Sequence, residues 1–136
     1  MGEPRQVVPV GWVSSSLTRL GDAPKQGHEG APHARIRIEL PFRSALDRLE
    51  AGQDLLILTW LHESRRDVLL VHPRDDMGQP LTGVFATRSP DRPNPIGLHR
   101  VRLLAVEEEG VLLVSDLEAI DGTPVIDIKP VLPGVR

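Results

Sequence analysis

The sequence predicts a mainly β fold, in which a small antiparallel sheet curls into a barrel and is accompanied by one short helix. About seven short segments show the alternating or continuous apolar patterns of β-strands, and a single segment shows helical spacing. The chain has no regular strand–helix repeat and no G-x-G-x-x-G turn. These observations favour a curled antiparallel sheet over a Rossmann fold.

The length and composition indicate one domain, which we assign to residues 1–136. The chain contains 40% hydrophobic residues, but only two Trp, two Phe and no Tyr, so Val, Leu and Ile must supply most of the core. Cys is absent, which excludes disulfides, thiolate metal sites and cysteine nucleophiles. We predict no metal site and a cytoplasmic location.

Neither a signal peptide nor a membrane span is visible, because the apolar runs are too short. The formal net charge of −3 is not typical of a protein that grips nucleic acid over a broad surface. Any RNA must therefore bind through a local basic patch.

The first predicted elements are two strands joined by a long loop. Residues 7–13 have strand composition, residues 14–32 are rich in turn formers, and residues 33–40 alternate. In that last strand, Ile36, Ile38 and Leu40 are expected on the buried face, opposite the polar residues Arg35, Arg37 and Glu39.

Residues 42–51 are predicted to form the one short amphipathic helix. Ala45, Leu46 and Leu49 recur at helical spacing, Pro41 precedes them, and Gly52 can end the helix. The remaining strands are predicted at residues 54–61, 67–72, 103–106, 111–117 and 125–128, with a polar turn at 73–80 and a hairpin turn at 107–110.

Residues 83–97, GVFATRSPDRPNPIG, contain three prolines within six positions. Each proline fixes its own φ and disfavours helix at the preceding residue, here Ser89, Arg92 and Asn94. A stiff loop of this kind loses little entropy when its polar groups surround a ligand. The alternative is a connector that only turns the chain.

Two motifs, ATRSPDRPNPIG at 86–97 and DGTPVIDIKP at 121–130, resemble the TrmO family, also called TsaA-like or YaeB-like. The resemblance extends through APKQG at 23–27 and LTWLHES at 58–64. It implies a small non-Rossmann β-barrel, a homodimer with the cofactor near the subunit interface, and methyl transfer from S-adenosyl-L-methionine. The best-known members methylate N6-threonylcarbamoyladenosine in the tRNA anticodon loop.

The resemblance also implies a set of cofactor contacts. Arg88 is the leading one, because a guanidinium can bind the cofactor carboxylate bidentately. The full set is Pro24, Lys25, Gln26, His62, Glu63, Arg88, Leu98, Asp121, Gly122, Thr123 and Pro124. The family usually has Arg at the position of Lys25, and often another residue at that of Glu63. Without the resemblance these positions indicate surface charges, a core leucine, a structural histidine and a tight turn at 121–124.

Transfer to a weakly nucleophilic nitrogen requires a group that takes its proton. Asp91, Asp121 and Asp127 are the candidate acceptors, with Asn94 orienting the base, and the position of Asp91 varies in the family. Arg92, Asn94 and Lys129 are the expected substrate contacts. Asp127 and Lys129 share a strand face, so an ion pair between them is the simpler interpretation.

The densest basic stretch contains Arg88, Arg92, Arg100 and Arg102 with His99, and it is the expected place for RNA phosphates. For Arg100 and Arg102 we favour the alternative that they form the outward face of a strand beginning at Leu98. Arg92 could instead brace the three prolines.

Three functions remain open from the sequence. The first is a tRNA methyltransferase, the second a methyltransferase of the same fold acting on a small molecule, and the third a non-catalytic barrel that binds S-adenosyl-L-methionine. Bacterial tRNA enzymes of the family have a further region after the IKP motif, whereas this chain ends at Arg136.

Overall fold

The structure, a computed structural model, describes residues 2–17 and 32–134. Within these residues lie eight strands: β1 Gly11–Ser14, β2 Ala34–Ile38, β3 Asp54–Trp60, β4 Leu70–Val71, β5 Thr82–Gly83, β6 Ile96–Glu107, β7 Val111–Val114 and β8 Pro124–Pro130. The helices of the described part are all 3-10 helices, at Leu40–Leu46, Pro73–Asp75, Val84–Ala86 and Glu108–Gly110. None of its helices has the length and apolar character needed to cross a membrane.

Six strands pair in the order β1-β2-β7-β6-β3-β8, and β8 pairs back with β1 to close a barrel. Every strand pair in the described part is antiparallel, including the separate two-stranded sheet formed by β4 and β5. The prediction of a mainly β fold without Rossmann architecture is therefore confirmed.

The barrel interior is filled mostly by aliphatic side chains, as the scarcity of aromatic residues predicts. The fully buried aliphatic residues come from five strands and one loop: Ile36, Leu55, Ile57, Leu103, Leu112, Val114, Leu117 and Val125. They alternate with outward residues along each strand, because successive side chains of a strand point to opposite faces. The core is continuous through the barrel.

The predicted strand at 33–40 is confirmed in its central part. Ala34, Ile36 and Ile38 of β2 are buried, and Arg35 and Arg37 are exposed. The expectation that Leu40 lies on the buried face is wrong. Leu40 is 71% exposed because the chain leaves the barrel there and begins a 3-10 helix.

The predicted helix at 42–51 is present as a shorter 3-10 helix, Leu40–Leu46. Its backbone bonds run from residue i+3 to residue i, as from the Asp47 amide to the Ser44 carbonyl at 3.2 Å. Arg48 has a φ of 72°, which stops the helix before Ala51. Leu46 and Leu49 pack against the core, as the amphipathic pattern predicts, although the segment forms a 3-10 helix.

The predicted hairpin between β6 and β7 is confirmed, with Glu107 opposite Val111 and a turn at Glu108–Gly110. β7 ends at Val114 rather than at 117, since Asp116 has a φ of 50° and turns the chain. β1 begins at Gly11, later than residue 7, because Pro9 has no amide hydrogen to donate. β4 is also shorter than the predicted strand at 67–72.

Candidate active-site pocket

The barrel interior changes from apolar to polar toward one end of β3 and β6. Inward positions of β3 run from Leu55 and Ile57 to Thr59, which is completely buried. On β6 the inward residues change in the same way toward this end, from Leu103 and Val101 to His99. Because β3 and β6 are antiparallel neighbours, their polar residues meet at the same end of the barrel.

His99 is the centre of this polar end and makes two side-chain hydrogen bonds. Its Nε2 lies 2.7 Å from Thr59 Oγ1, and its Nδ1 lies 2.5 Å from Glu118 Oε1. The Glu118 carboxylate accepts, so Nδ1 donates and, in the neutral ring, Nε2 accepts the Thr59 hydroxyl proton. The side chain of His99 is 5% exposed and that of Glu118 is 11% exposed. A buried array of this kind has its hydrogen bonds largely shielded from water.

Gly97 lies beside this array, opposite Thr59 in the strand register. A Cβ atom at residue 97 would come within 2.7 Å of His99 Nε2 and would be closer still to Thr59 Oγ1. The Thr59–His99 hydrogen bond therefore requires glycine at this position. The register between β3 and β8 also shifts here, between Leu58 and Thr59, and such bulges redirect side chains.

A pocket opens next to the polar end of the barrel. It is lined by Leu61, His62, Glu63, Glu118, Ala119, Ile120 and Thr123. Three of the predicted cofactor contacts, His62, Glu63 and Thr123, thus lie in one pocket. His62 and Glu63 are exposed and make no side-chain hydrogen bond or ion pair with another described residue. The pocket combines carboxylates with an aliphatic wall.

The predicted turn at 121–124 forms one edge of this region. Gly122 has a φ of 83°, as expected for an Asp-Gly turn. Asp121 Oδ1 accepts a hydrogen bond from the Ser15 amide at 3.0 Å, and the buried Thr123 hydroxyl donates to the Ile120 carbonyl at 2.7 Å. Pro124 begins β8. The turn is therefore tightly held by both its side chains and its backbone.

The proline-rich loop is held together by Arg92. The half-buried guanidinium donates to the carbonyl oxygens of Ser89, Val84 and Thr87 at 2.7, 2.6 and 2.7 Å. Such charge-assisted bonds are stronger than neutral ones. This geometry matches the alternative in which Arg92 braces the prolines, and it leaves little of the guanidinium for an RNA phosphate.

Asn94 is bound by an arginine from outside the motif. Arg66 donates to Asn94 Oδ1 at 3.0 Å and to the Pro93 carbonyl at 2.7 Å. The same guanidinium lies 5.1 Å from the ring centre of Trp60, within the range of a cation–π contact. The Asn94 side chain is exposed, and its amide nitrogen makes no hydrogen bond to the described residues.

Arg88 and Leu98 do not line the pocket. Arg88 is exposed and forms no hydrogen bond or ion pair within residues 2–17 and 32–134. Leu98 is 42% exposed on the outer face of β6. Pro24, Lys25 and Gln26 lie outside the residues that the structure describes.

The expected basic patch is not assembled. His99 is buried, Arg92 is bound within its own loop, and Arg100 and Arg102 both pair with Asp54 at 3.2 Å. Hydrogen bonds from Arg100 and Arg102 lower the pKa of the Asp54 carboxyl below its ordinary value. The interpretation of Arg100 and Arg102 as an outward strand face is confirmed.

The other candidate base and substrate contact on β8 pair with each other. Lys129 Nζ lies 3.0 Å from Asp127 Oδ2, as the shared strand face indicated. Asp91 accepts a hydrogen bond from the Arg65 amide at 2.8 Å. None of Asp91, Asp121 and Asp127 lines the pocket.

The sequence interpretation missed the array of Thr59, His99 and Glu118. The first two positions carry a usable signal, because counting by two from Leu55 and from Leu103 places both residues on the inward faces of their strands. Glu118 carries none, since it lies in an irregular segment after β7. Only the closure of the barrel brings its carboxylate to His99.

Comparison with known families identifies the group to which this fold and pocket belong. A family model described as the tRNA-methyltransferase O N-terminal domain matches residues 12–135. The chain belongs to this family. The predicted resemblance is thereby confirmed.

Relatives and solved structures agree with this family. A "Probable S-adenosyl-L-methionine-binding protein" of Methanothermobacter thermautotrophicus is 44% identical over 125 residues, or 92% of this chain and 88% of the relative. VirR of Rhizobium radiobacter, named in the same way, is 42% identical over 89% of this chain and 67% of its own length. The crystal structure of TrmO from Pseudomonas aeruginosa aligns with a TM-score of 0.76 at 32% identity.

The chain is shorter than several of these proteins. It covers 57% of the Pseudomonas TrmO chain, which in turn aligns with 96% of this chain. It covers 33% of a relative from Archaeoglobus fulgidus that is 45% identical over 126 residues.

Proposed function

We propose that this chain is an S-adenosyl-L-methionine-dependent methyltransferase that methylates N6-threonylcarbamoyladenosine in the tRNA anticodon loop. The observation that carries the proposal is the match of residues 12–135 to the tRNA-methyltransferase O N-terminal domain. The likeness to TrmO, at 32% identity and a TM-score of 0.76, supports the same chemistry.

The cofactor is S-adenosyl-L-methionine, since relatives from different organisms are named as probable S-adenosyl-L-methionine-binding proteins. The residues of the pocket fit it. Glu63 brings a carboxylate toward a cationic ligand, while Leu61, Ala119 and Ile120 offer an apolar wall for its uncharged parts. When bound, the cofactor supplies a methyl group on a positively charged sulfur.

We assign His62, Glu63 and Thr123 to the cofactor from inside the pocket, together with the turn formed by Gly122 and Pro124. Asp121, the first residue of this turn, is the expected acceptor for the amino group or ribose of the cofactor. Arg88 is proposed to bind the cofactor carboxylate from outside the pocket, since its guanidinium has no partner among the described residues.

The chain's own contribution to catalysis is to hold two reactants in line and to exclude water. The loop around Arg92 supports this role, because hydrogen bonds from Arg92 hold its backbone and less ordering is required when a ligand binds. The amide nitrogen of Asn94, which has no partner among the described residues, is proposed to donate to the acceptor base. Lys129 is proposed as a phosphate contact that must first leave Asp127.

We also propose a homodimer with the cofactor near the subunit interface. Ile96 and Leu98 leave apolar side chains on the outer face of β6, 43% and 42% exposed. A second subunit would cover them. Light scattering should give twice the chain mass of 15.0 kDa when cofactor is present, and a monomer mass would contradict the dimer.

A small molecule is the second candidate acceptor, and the basic stretch favours it. Of its four arginines, only Arg88 lacks a partner among the described residues. A non-catalytic cofactor-binding barrel is the third candidate, because the curated relatives are named for binding alone.

Labelled S-adenosyl-L-methionine separates these functions. The protein should transfer label to tRNA from cells that make the threonylcarbamoyl modification, and not to tRNA from cells that lack it. Transfer only to a metabolite extract would establish the second candidate. Tight calorimetric binding with no transfer to either pool would establish the third.

A further inference from the structure

None of the three aspartates predicted as bases lines the pocket, and each makes a contact elsewhere. Asp127 pairs with Lys129, Asp91 accepts from the Arg65 amide, and Asp121 accepts from the Ser15 amide. The pocket itself contains another carboxylate, Glu118, which the sequence motifs do not single out.

Glu118 is arranged as a carboxylate with one oxygen bound and one oxygen available. Oε1 accepts from His99 Nδ1, whereas Oε2 has no hydrogen bond within the described residues. Ser64 Oγ is the single buried polar side-chain atom without a partner in that part of the chain. Oε2 is therefore not sealed in the interior and can meet a ligand in the pocket.

We propose that Glu118 is the general base for methyl transfer, accepting the proton that the acceptor nitrogen loses, and that His99 and Thr59 are its positioning residues. This inference rests on the proposed function. In the step, the nitrogen bonds the methyl carbon, the sulfur–carbon bond breaks with its electron pair passing to sulfur, and the N–H proton passes to Glu118 Oε2. The positive charge leaves the sulfonium, and the carboxylate becomes a neutral acid.

The supporting array explains why this carboxylate is well placed for the task. A base must be within hydrogen-bond reach and correctly oriented before its proton affinity matters. Glu118 lies in an irregular segment, and its carboxylate is oriented by the hydrogen bond from His99. The imidazole ring of His99 is oriented in turn by its hydrogen bond with Thr59. Gly97 leaves the space that this second hydrogen bond needs.

Four other ionisable groups face or border the carboxylate. His99 lies behind it on β6, His62 and Glu63 line the pocket after β3, and Asp121 follows it in the chain. Of these, His62 and Glu63 are more exposed than Glu118. Glu63 is therefore the carboxylate whose substitution must be compared with that of Glu118.

The test measures cofactor affinity by calorimetry and the single-turnover rate of methyl transfer at saturating cofactor, for the wild type and for Glu118→Gln. We expect cofactor affinity within about threefold of wild type and a rate lower by roughly 10²–10⁴-fold, the usual range for loss of a general base. Glu63→Gln is the competing variant. Glu108→Gln, on the exposed hairpin turn at the far end of β6, is the matched control.

His99 offers a matched pair of substitutions. An Asn amide nitrogen approximates the position of Nδ1 and can still donate to Glu118, whereas a Gln amide nitrogen approximates Nε2 and can reach only Thr59. We expect His99→Asn to retain at least tenfold more transfer than His99→Gln at saturating substrates. A purely structural histidine would instead make both rates follow the melting temperatures.

The outcomes separate the inference from the function on which it rests. A wild type that transfers no methyl group to any acceptor overturns both. An active wild type with a normal rate in Glu118→Gln, or with the rate loss in Glu63→Gln instead, overturns only the base. Restored transfer in Glu118→Ala on addition of formate would confirm it, and absence of any rescue together with weakened cofactor binding would make Glu118 a cofactor ligand.

Discussion

The proline-rich loop and the pocket wall are both irregular polar segments beside the barrel, but they use their polar groups in opposite ways. In the loop, at residues 84–95, Arg92 is bound to three carbonyl oxygens of its own segment. The pocket wall is formed by residues 61–63, 118–120 and 123. There, His62, Glu63 and one oxygen of Glu118 have no partner among the described residues. The loop is organised for rigidity, and the wall for a ligand.

The two arginines of the loop show the same contrast at close range. Arg88 and Arg92 are four residues apart in one motif, yet one is exposed and without a described partner while the other is half-buried and satisfied. Two arginines that lie close together in sequence therefore differ in whether their charge is available to a ligand. Substitutions in the two regions should accordingly separate loss of stability from loss of binding.

Arg92→Ala should have the largest effect, and it should act on stability. Loss of three charge-assisted hydrogen bonds should lower the free energy of unfolding by about 3–5 kcal/mol. Denaturant unfolding measures it. Arg92→Lys is the control for charge. It should recover less than half of the lost stability, since a lysine ammonium lacks the planar, forked set of donors of a guanidinium. A stable Arg92→Ala variant that binds cofactor but no longer methylates tRNA would show instead that Arg92 contacts the methyl acceptor.

Arg88→Ala should leave stability unchanged and act on binding. We expect cofactor affinity to fall by about 1.5–3 kcal/mol, the range for a hydrogen bond to a charged group. Calorimetry and the melting temperature together measure this. Equal affinity in wild type and variant would exclude Arg88 from the site.

Gly97→Ala tests the boundary between the two regions, because residue 97 follows the loop in β6 and lies directly beside Thr59 and His99. The added methyl group must displace Thr59 or His99, which should cost about 1–3 kcal/mol of stability. Gly83→Ala is the matched control, since a Cβ there meets nothing within 4 Å. Similar melting temperatures for the two variants would show that the array tolerates displacement.

Asp54→Asn should have the smallest effect, because its pairs with Arg100 and Arg102 are exposed. We expect a loss below about 1 kcal/mol at neutral pH, reduced further by salt. The arginines lower the pKa of Asp54 in the folded state, so their contribution is present above about pH 4 and is lost as the pH falls through the folded value. Wild type and variant should therefore converge in stability as the pH falls through the lowered pKa of Asp54, and a gap that widens in acid would contradict this.

The sequence alone determined the fold class, the core composition and the positions of most strands along the chain. Period-two alternation predicted the buried face of β2 and the outward positions of Arg100 and Arg102 on β6, because a strand places successive side chains on opposite sides regardless of its partners. The Asp-Gly turn at 121–122 and the hairpin before β7 were likewise determined by local backbone preferences. The family motifs predicted three residues that the pocket brings together.

Only the tertiary structure decided which polar groups are free and which are bound. The positive charge of Arg92 is satisfied by carbonyl groups of its own loop, and that of Arg100 by a carboxylate on a neighbouring strand. Glu118 reaches His99 only because the barrel closes, with β3, β6 and the segment before β8 meeting at one end. Hydrogen bonds between residues distant in sequence depend on register and closure, which no local pattern contains.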